Sequence, residues 1–332
     1  MKTPSNAANL VDPSATTSDR RGFLAGAGLL LGSGAATGLL GGAQNAAAAD
    51  SAAPTPFRFS LNMSTIRGQE LDAAGEVDVA GEAGYDAIEP WLRRLNEYTA
   101  KGGSLKDLRK RIEDHGLTVE SAIGFAPWIV NDPAARAAGL EEAKRDMDLL
   151  AQIGGKRIAA PPAGVPKGEI VTLDDASDRY RVLLELGDEM GIIPQAEMWG
   201  GNPTIGTVEK ALYVAIRAGH PKACFLGDVF HTYKGGCSFD SLLLLGPNAL
   251  QNYHMNDYPA DPPQDLIKDA HRVFPGDGIG PVVEVIQSFR AVGATPVLSL
   301  ELFNETYWKM PALECAKVGL EKMREVVARA EA

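Results

Sequence analysis

Cysteine is scarce in this chain. Cys224, Cys237 and Cys315 are too few for a disulfide framework, and a single Cys224–Cys237 bridge is the most that an oxidising compartment would add. Histidine is scarce too, at five residues, which limits how many imidazoles any metal site can recruit. No Gly-x-Gly-x-x-Gly follows an apolar run and no phosphate-binding lysine loop occurs, so a nucleotide cofactor has no support. Positive charge is in deficit. A net charge of -11 disfavours binding to phosphate backbones, which needs clustered lysine and arginine, and nucleic acid is not expected as a partner.

What is present first is an export signal. Ser18-Asp19-Arg20-Arg21-Gly22-Phe23-Leu24 leads into an apolar, Gly/Ala-rich stretch over 24–40, and Ala46-Ala47-Ala48-Ala49 offers small residues to a signal peptidase. Paired arginines, a moderately apolar core and an Ala-x-Ala exit predict a twin-arginine (Tat) signal peptide and short linker over residues 1–50. A membrane anchor would need roughly 20 strongly apolar residues, which this glycine-rich stretch does not supply. The expected location is the periplasm or the extracellular space, with the membrane met only through the signal.

From residue 57 onward, short apolar runs alternate with longer helical periods. Strands are predicted over 57–63, 87–91, 118–124, 157–161, 192–197, 223–228, 250–256 and 296–302. Amphipathic helices are predicted over 140–153, 174–190, 207–218, 282–292 and 312–330. Eight alternations of strand and helix predict an α/β fold, a (β/α)₈ TIM barrel in one domain over 55–332. That span is close to the roughly 250 residues of such barrels. Gly84, Gly116, Gly191 and Gly293 each stand between a helical period and a strand, as left-handed helix caps do.

Function in such barrels sits at the carboxyl ends of the strands. Strands five to eight end on Gln195-Ala196-Glu197, Leu226-Gly227-Asp228, Tyr253-His254-Met255 and Leu300-Glu301-Leu302. Each of the four thus brings one carboxylate or imidazole. Neighbouring strands lie about 4.8 Å apart, so the tips can converge on one cation. Three carboxylates and one imidazole form a hard set suited to Mn²⁺ or Mg²⁺, with Co²⁺ or Zn²⁺ able to substitute. Glu89, closing strand two, is a candidate substrate contact, and Trp199 and Trp308 are candidates to stack on a sugar ring. Asn256 and Asp257 are placed to orient His254. Lys156 and Arg157 start a strand, on the face away from chemistry.

Three segments carry a resemblance: Asp228-Val229-Phe230-His231-Thr232-Tyr233-Lys234-Gly235-Gly236, Phe274-Pro275-Gly276-Asp277-Gly278, and Ser299-Leu300-Glu301-Leu302-Phe303-Asn304-Glu305-Thr306-Tyr307-Trp308. They resemble the sugar phosphate isomerase/epimerase group of the xylose-isomerase-like TIM barrel superfamily. The resemblance implies metal ligands at Glu197, Asp228, His254 and Glu301, with manganese the first expectation. It implies that Glu197 and Glu301 exchange protons with the substrate carbons. It also implies that His231 and Arg272 bind substrate oxygens. The expected activity is metal-dependent isomerisation or epimerisation of a sugar or sugar derivative through an enediolate, because a cation chelated by a carbonyl and its neighbouring hydroxyl acidifies the intervening C–H. The same site would serve a lyase or hydratase acting on a 3-keto-glycoside or a dehydroshikimate-like acid. The alternative outside enzymology is a non-catalytic sugar-binding module. A homo-oligomer is compatible with either. Where free-ketose 3-epimerases of the group carry a second Glu and an Asn-Arg pair, this chain has Trp199-Gly200-Gly201-Asn202-Pro203.

Overall fold

The computed structural model describes residues 55–332, so the expected twin-arginine signal lies outside the described residues. Eight parallel strands form one sheet: β1 (Phe59–Asn62), β2 (Ala87–Glu89), β3 (Thr118–Val119), β4 (Arg157–Ala160), β5 (Ile193–Glu197), β6 (Phe225–Asp228), β7 (Leu250–Met255) and β8 (Val297–Leu300). Their order is β3-β2-β1-β8-β7-β6-β5-β4. A hydrogen bond of 2.9 Å from Ala159 N–H to the Ala122 carbonyl joins the two outer strands and closes the barrel. Every strand core matches an expected run. The third is the shortest, because Pro90 brings no N–H to the neighbouring strand. The chain there re-pairs as an isolated bridge between Trp91 and Ile123.

Nine α-helices pack outside the sheet among the described residues: α1 (Ala73–Ala83), α2 (Leu92–Ala100), α3 (Leu105–Asp114), α4 (Pro133–Gln152), α5 (Leu173–Met190), α6 (Val208–Ala218), α7 (Val229–Lys234), α8 (Val282–Ala291) and α9 (Ala312–Glu331). Their apolar spacing fixes which side faces the strands. In α3, Leu105, Leu108 and Ile112 are buried, one face of a 3.6-residue period. Helix α4 begins seven residues before its expected start. Asp132 caps it by accepting from Ala135 N–H and Pro133 opens its first turn, but its alanine-rich beginning carries too little apolar contrast to show a period. The four cap glycines have φ of +88°, +70°, +71° and +70°, the region in which only glycine is unstrained.

The two ends of the barrel differ in charge. At the amino ends of the strands Glu120 is surrounded by Arg58 at 2.5 Å, Lys156 at 2.6 Å and Arg157 at 3.4 Å. This ion network seals the floor. Lys156 and Arg157 thus lie where expected. All three cysteines are free thiols, so Cys224 and Cys237 are not bridged. No helix among the described residues is long and apolar enough to cross a membrane.

Candidate metal centre and active site

Strand register assembles the site. Asp228 on β6 stands opposite His254 on β7, and His254 stands opposite Ser299 on β8. Glu301 follows the last residue of β8, and Glu197 ends β5. The ligating atoms of Asp228, His254 and Glu301 come within 4.8 Å of one another. Glu197 is outside that trio but lines the same cavity with Glu301, His231 and Arg272. All four expected ligands are 4% exposed or less.

Each group is held by its neighbours. Asp228 also caps α7: its Oδ1 accepts from His231 N–H at 2.9 Å. Its Oδ2 accepts from Asn256 Nδ2 at 3.2 Å and Arg272 at 2.8 Å. The same Arg272 nitrogen reaches Glu301 Oε2 at 2.8 Å, while the other donates to Asp269 at 2.6 Å. Burial disfavours charge on Asp228, but the Arg272 guanidinium holds its carboxyl well below the usual carboxylate range. Glu301 also accepts from Asn62 Nδ2 at 3.2 Å.

His254 carries the decisive detail. Its Nε2 faces Glu89 Oε2 at 3.0 Å and Oε1 at 3.2 Å. A carboxylate only accepts, so Nε2 bears the proton and the lone pair of the neutral ring is on Nδ1. That Nδ1 points at Glu301 Oε2, 3.1 Å away, and Asp228 Oδ2, 3.6 Å away. A lone pair facing two carboxylates requires a cation or a proton between them. Burial disfavours the charged ring, but the carboxylates of Glu301 and Glu89 raise the His254 pKa well above its ordinary value. Burial likewise pushes Glu197 up to about 8, with His254 opposing and Glu301 reinforcing the rise.

Among the four expected ligands two buried atoms make no hydrogen bond: His254 Nδ1 and Glu197 Oε2. Leaving such groups unmatched is costly. A divalent cation among Asp228, His254 and Glu301 would meet the first, and Glu197 lines the same cavity beyond that trio. The donor set therefore fits a divalent metal.

Several side chains take positions other than those expected. Glu89 does not reach the cavity. It is fully buried behind His254 and also accepts from Asn62 and Ser299 Oγ, each at 2.7 Å, so it orients the imidazole. Asp257 makes no contact with His254; it accepts from the backbone N–H groups of Gly276, Gly278 and Gly280 and folds the 276–280 loop. Asn256 braces Asp228 and accepts from Phe230 N–H at 2.8 Å. Trp308 lies outside the cavity lining, with its indole donating to Ser64 O at 3.0 Å. Trp199 does line the cavity, beside Trp91, Phe125 and Phe303.

His231 sits between Arg272, 3.1 Å from its Nε2, and the Gly200 N–H, 3.2 Å from its Nδ1. Burial lowers its pKa, so the neutral ring is favoured. Gly200 permits this contact. A Cβ there would lie 2.5 Å from the His231 carbonyl oxygen and 2.7 Å from Gly235 N. Asn62, which is not among the expected site residues, ends β1 and is fully buried. Its Oδ1 accepts from Trp91 Nε1 at 2.9 Å, so one amide links a cavity wall to both Glu89 and Glu301. Its sequence signal is its place at the tip of strand one.

The fold and this cluster define a class: enzymes built on a (β/α)₈ barrel that hold a divalent metal at the carboxyl ends of the strands. The chain belongs to the xylose isomerase-like TIM barrel family, whose family model matches residues 77–326. It is 27% identical to an inosose isomerase of Bacillus velezensis over 259 residues, covering 76% of this chain and 91% of that protein. It is 27% identical to a 3-dehydroshikimate dehydratase of Pseudomonas aeruginosa over 272 residues, 76% of this chain and 41% of that protein. The crystal structure of the IolI protein with a bound zinc atom superimposes with a TM-score of 0.76 at 23% identity, covering 82% of this chain and 99% of that one.

Proposed function

We propose that this enzyme isomerises or epimerises a neutral sugar or cyclic polyol ketone by moving a proton on the carbon beside the carbonyl. The observation that carries this reading is a pair of buried carboxyl groups, Glu197 and Glu301, opening on one cavity in unlike environments. Glu197 is desolvated, with one oxygen unpartnered. Glu301 is held by Arg272 and Asn62. Groups set apart in this way divide the roles of acid and base between them. A divalent cation held by Glu197, Asp228, His254 and Glu301, for which we propose Mn²⁺, would polarise the substrate carbonyl and acidify the neighbouring C–H. His231 and Arg272 would hold substrate oxygens, and Trp199 would pack against the substrate from the cavity wall. The likeness to inosose isomerases, named for a cyclic polyol ketone, supports the substrate class.

A lyase reading is favoured by the likeness to 3-dehydroshikimate dehydratases. Arg272, the one Lys or Arg in the cavity lining, is already paired with Asp228, Asp269 and Glu301, so a neutral keto-glycoside suits the site better than a carboxylic acid does. We also propose export by the twin-arginine route, on the strength of Arg20-Arg21 and the apolar stretch after it.

The test is incubation of Mn²⁺-loaded protein with an inosose and with free ketoses in heavy water. Deuterium uptake without loss of a leaving group supports the isomerase or epimerase. Elimination of water or of an aglycone supports the lyase. Activity equal to wild type in Glu301→Gln would sink the assigned chemistry.

A further inference from the structure

The cavity of about 440 Å³ has two unlike halves. The polar half, Glu197, His231, Arg272 and Glu301, comes from the ends of β5, β6 and β8 and the loop after β7. The other half is an arc of aromatic rings, Phe303-Trp91-Phe125-Trp199, in which Trp91 and Phe125 follow β2 and β3 across the barrel mouth. Neighbouring ring centroids are 6.0, 5.4 and 6.1 Å apart, with interplanar angles of 67°, 55° and 49°. Rings so tilted form a curved wall and leave faces open to a ligand. Tyr233 and Tyr258, stacked at 3.9 Å and 9°, instead consume each other's faces. Phe303 and Trp91 are partly occupied by Arg67, at 5.3 Å from each ring, so the open faces are those of Phe125 and Trp199. Phe125 is 42% exposed and is continuous with the other rings of the wall, a contiguous apolar patch of the kind that marks a binding surface. Phe125 and Trp199 stand side by side, 6.1 Å apart and tilted by 49°, too close to sandwich a sugar between them, so one sugar ring packs on one of these side chains at most. It cannot meet the polar half and also cover the wall beyond β3.

We propose that Phe125 and Trp199 form an aglycone subsite, and that the substrate is an uncharged sugar or sugar ketone carrying a planar aromatic substituent. This rests on the sugar-directed reading above. Phe125 and Trp199 bring no charge to pair with, so the substituent is uncharged, and the tilted rings suit edge and face contact with a planar group.

The experiment is calorimetric titration of the metal-loaded protein with methyl and 4-nitrophenyl β-D-glucoside. Neither carries the ketone, so binding is read without turnover. The aryl glycoside is expected to bind at least tenfold more tightly than the methyl glycoside. Phe125→Ala should reduce that preference to within about twofold, and Phe125→Trp should keep it. Metal content, measured on each variant, reports whether the barrel is folded. Equal affinity for the two glycosides, binding of neither, or a preference that survives Phe125→Ala together with Trp199→Ala would overturn the subsite. Deuterium exchange on a free inosose in the same preparation is read separately, so the isomerase reading stands or falls by itself.

Discussion

Replacing Glu89 by Gln changes almost no volume, yet it should cripple metal binding from behind the ligands. Glu89 Oε1 faces His254 Nε2, at 3.2 Å, while Oε2 accepts from Asn62, Ser299 and His254. A glutamine must put its NH₂ at one of these positions. Placed at Oε1 it confronts the Nε2–H, and placed at Oε2 it confronts three donors. The imidazole can relieve the first conflict by moving its proton to Nδ1, but that proton then occupies the lone pair aimed at Asp228 and Glu301. Removing such a partner of a ligating histidine typically costs 10–100-fold in metal affinity, or about 1.4–2.8 kcal/mol. Charge on His254 acts the other way. Glu89 helps to hold the proton that competes with the metal, so the loss will be smallest in acid and largest once that proton has left. The assay is Mn²⁺ and Zn²⁺ titration against a competing chelator at pH 6 and pH 9. A dissociation constant within twofold of wild type at pH 9 would refute the argument that Glu89 sets the His254 tautomer.

Metal binding in the unaltered protein should release protons from His254 and Glu197, whose pKa values are raised without a cation. Affinity should therefore rise between pH 6 and pH 9; a flat profile with no proton release in weakly buffered titration would contradict this. Arg272→Met leaves Asp228 and Glu301 without their shared cation, so the metal-free variant should lose about 3–5 kcal/mol, and Mn²⁺ should restore much of the loss in a thermal melt. Gly200→Ala forces a Cβ into the His231 carbonyl. Displacement by even about 1 Å can cost on the order of 100-fold in turnover, to be read as kcat/KM with metal content unchanged. Glu76, buried on α1, has its pKa pushed up by burial to about 8 although Arg94 opposes the rise. The folded state then holds a proton that the unfolded chain releases near 4.5, so this contribution is full below that pH and is lost as pH rises toward about 8. Glu76→Gln should flatten the decline, by a few times ~1.4 kcal/mol at most; identical melting profiles at pH 5 and 9 for both proteins would argue against it.

The sequence alone determined whatever local chemistry can encode. Short apolar runs mark the strands, period-3.6 apolar patterns mark the principal helices, and glycines that must adopt left-handed φ mark where helices hand over to strands. Because every strand of such a barrel runs the same way, its carboxyl end can be identified without knowing its neighbours, and Glu197, Asp228, His254 and Glu301 were legible on that basis. The tertiary structure decided what lies across the barrel from what. Glu89 and His254 are 165 residues apart, and only closure of the sheet turns a residue at a strand tip into the partner of a histidine ring. The same holds for Asn62, which joins Glu89, Glu301 and Trp91, and for Phe125, whose neighbours in space come from loops after β2 and β5. Trp308 shows the limit from the other side. It follows a strand as Trp91 and Trp199 do, but the turn after Glu301 carries its indole to Ser64, away from the cavity. Local patterns fix which element a residue joins, whereas register and closure fix which atoms it meets.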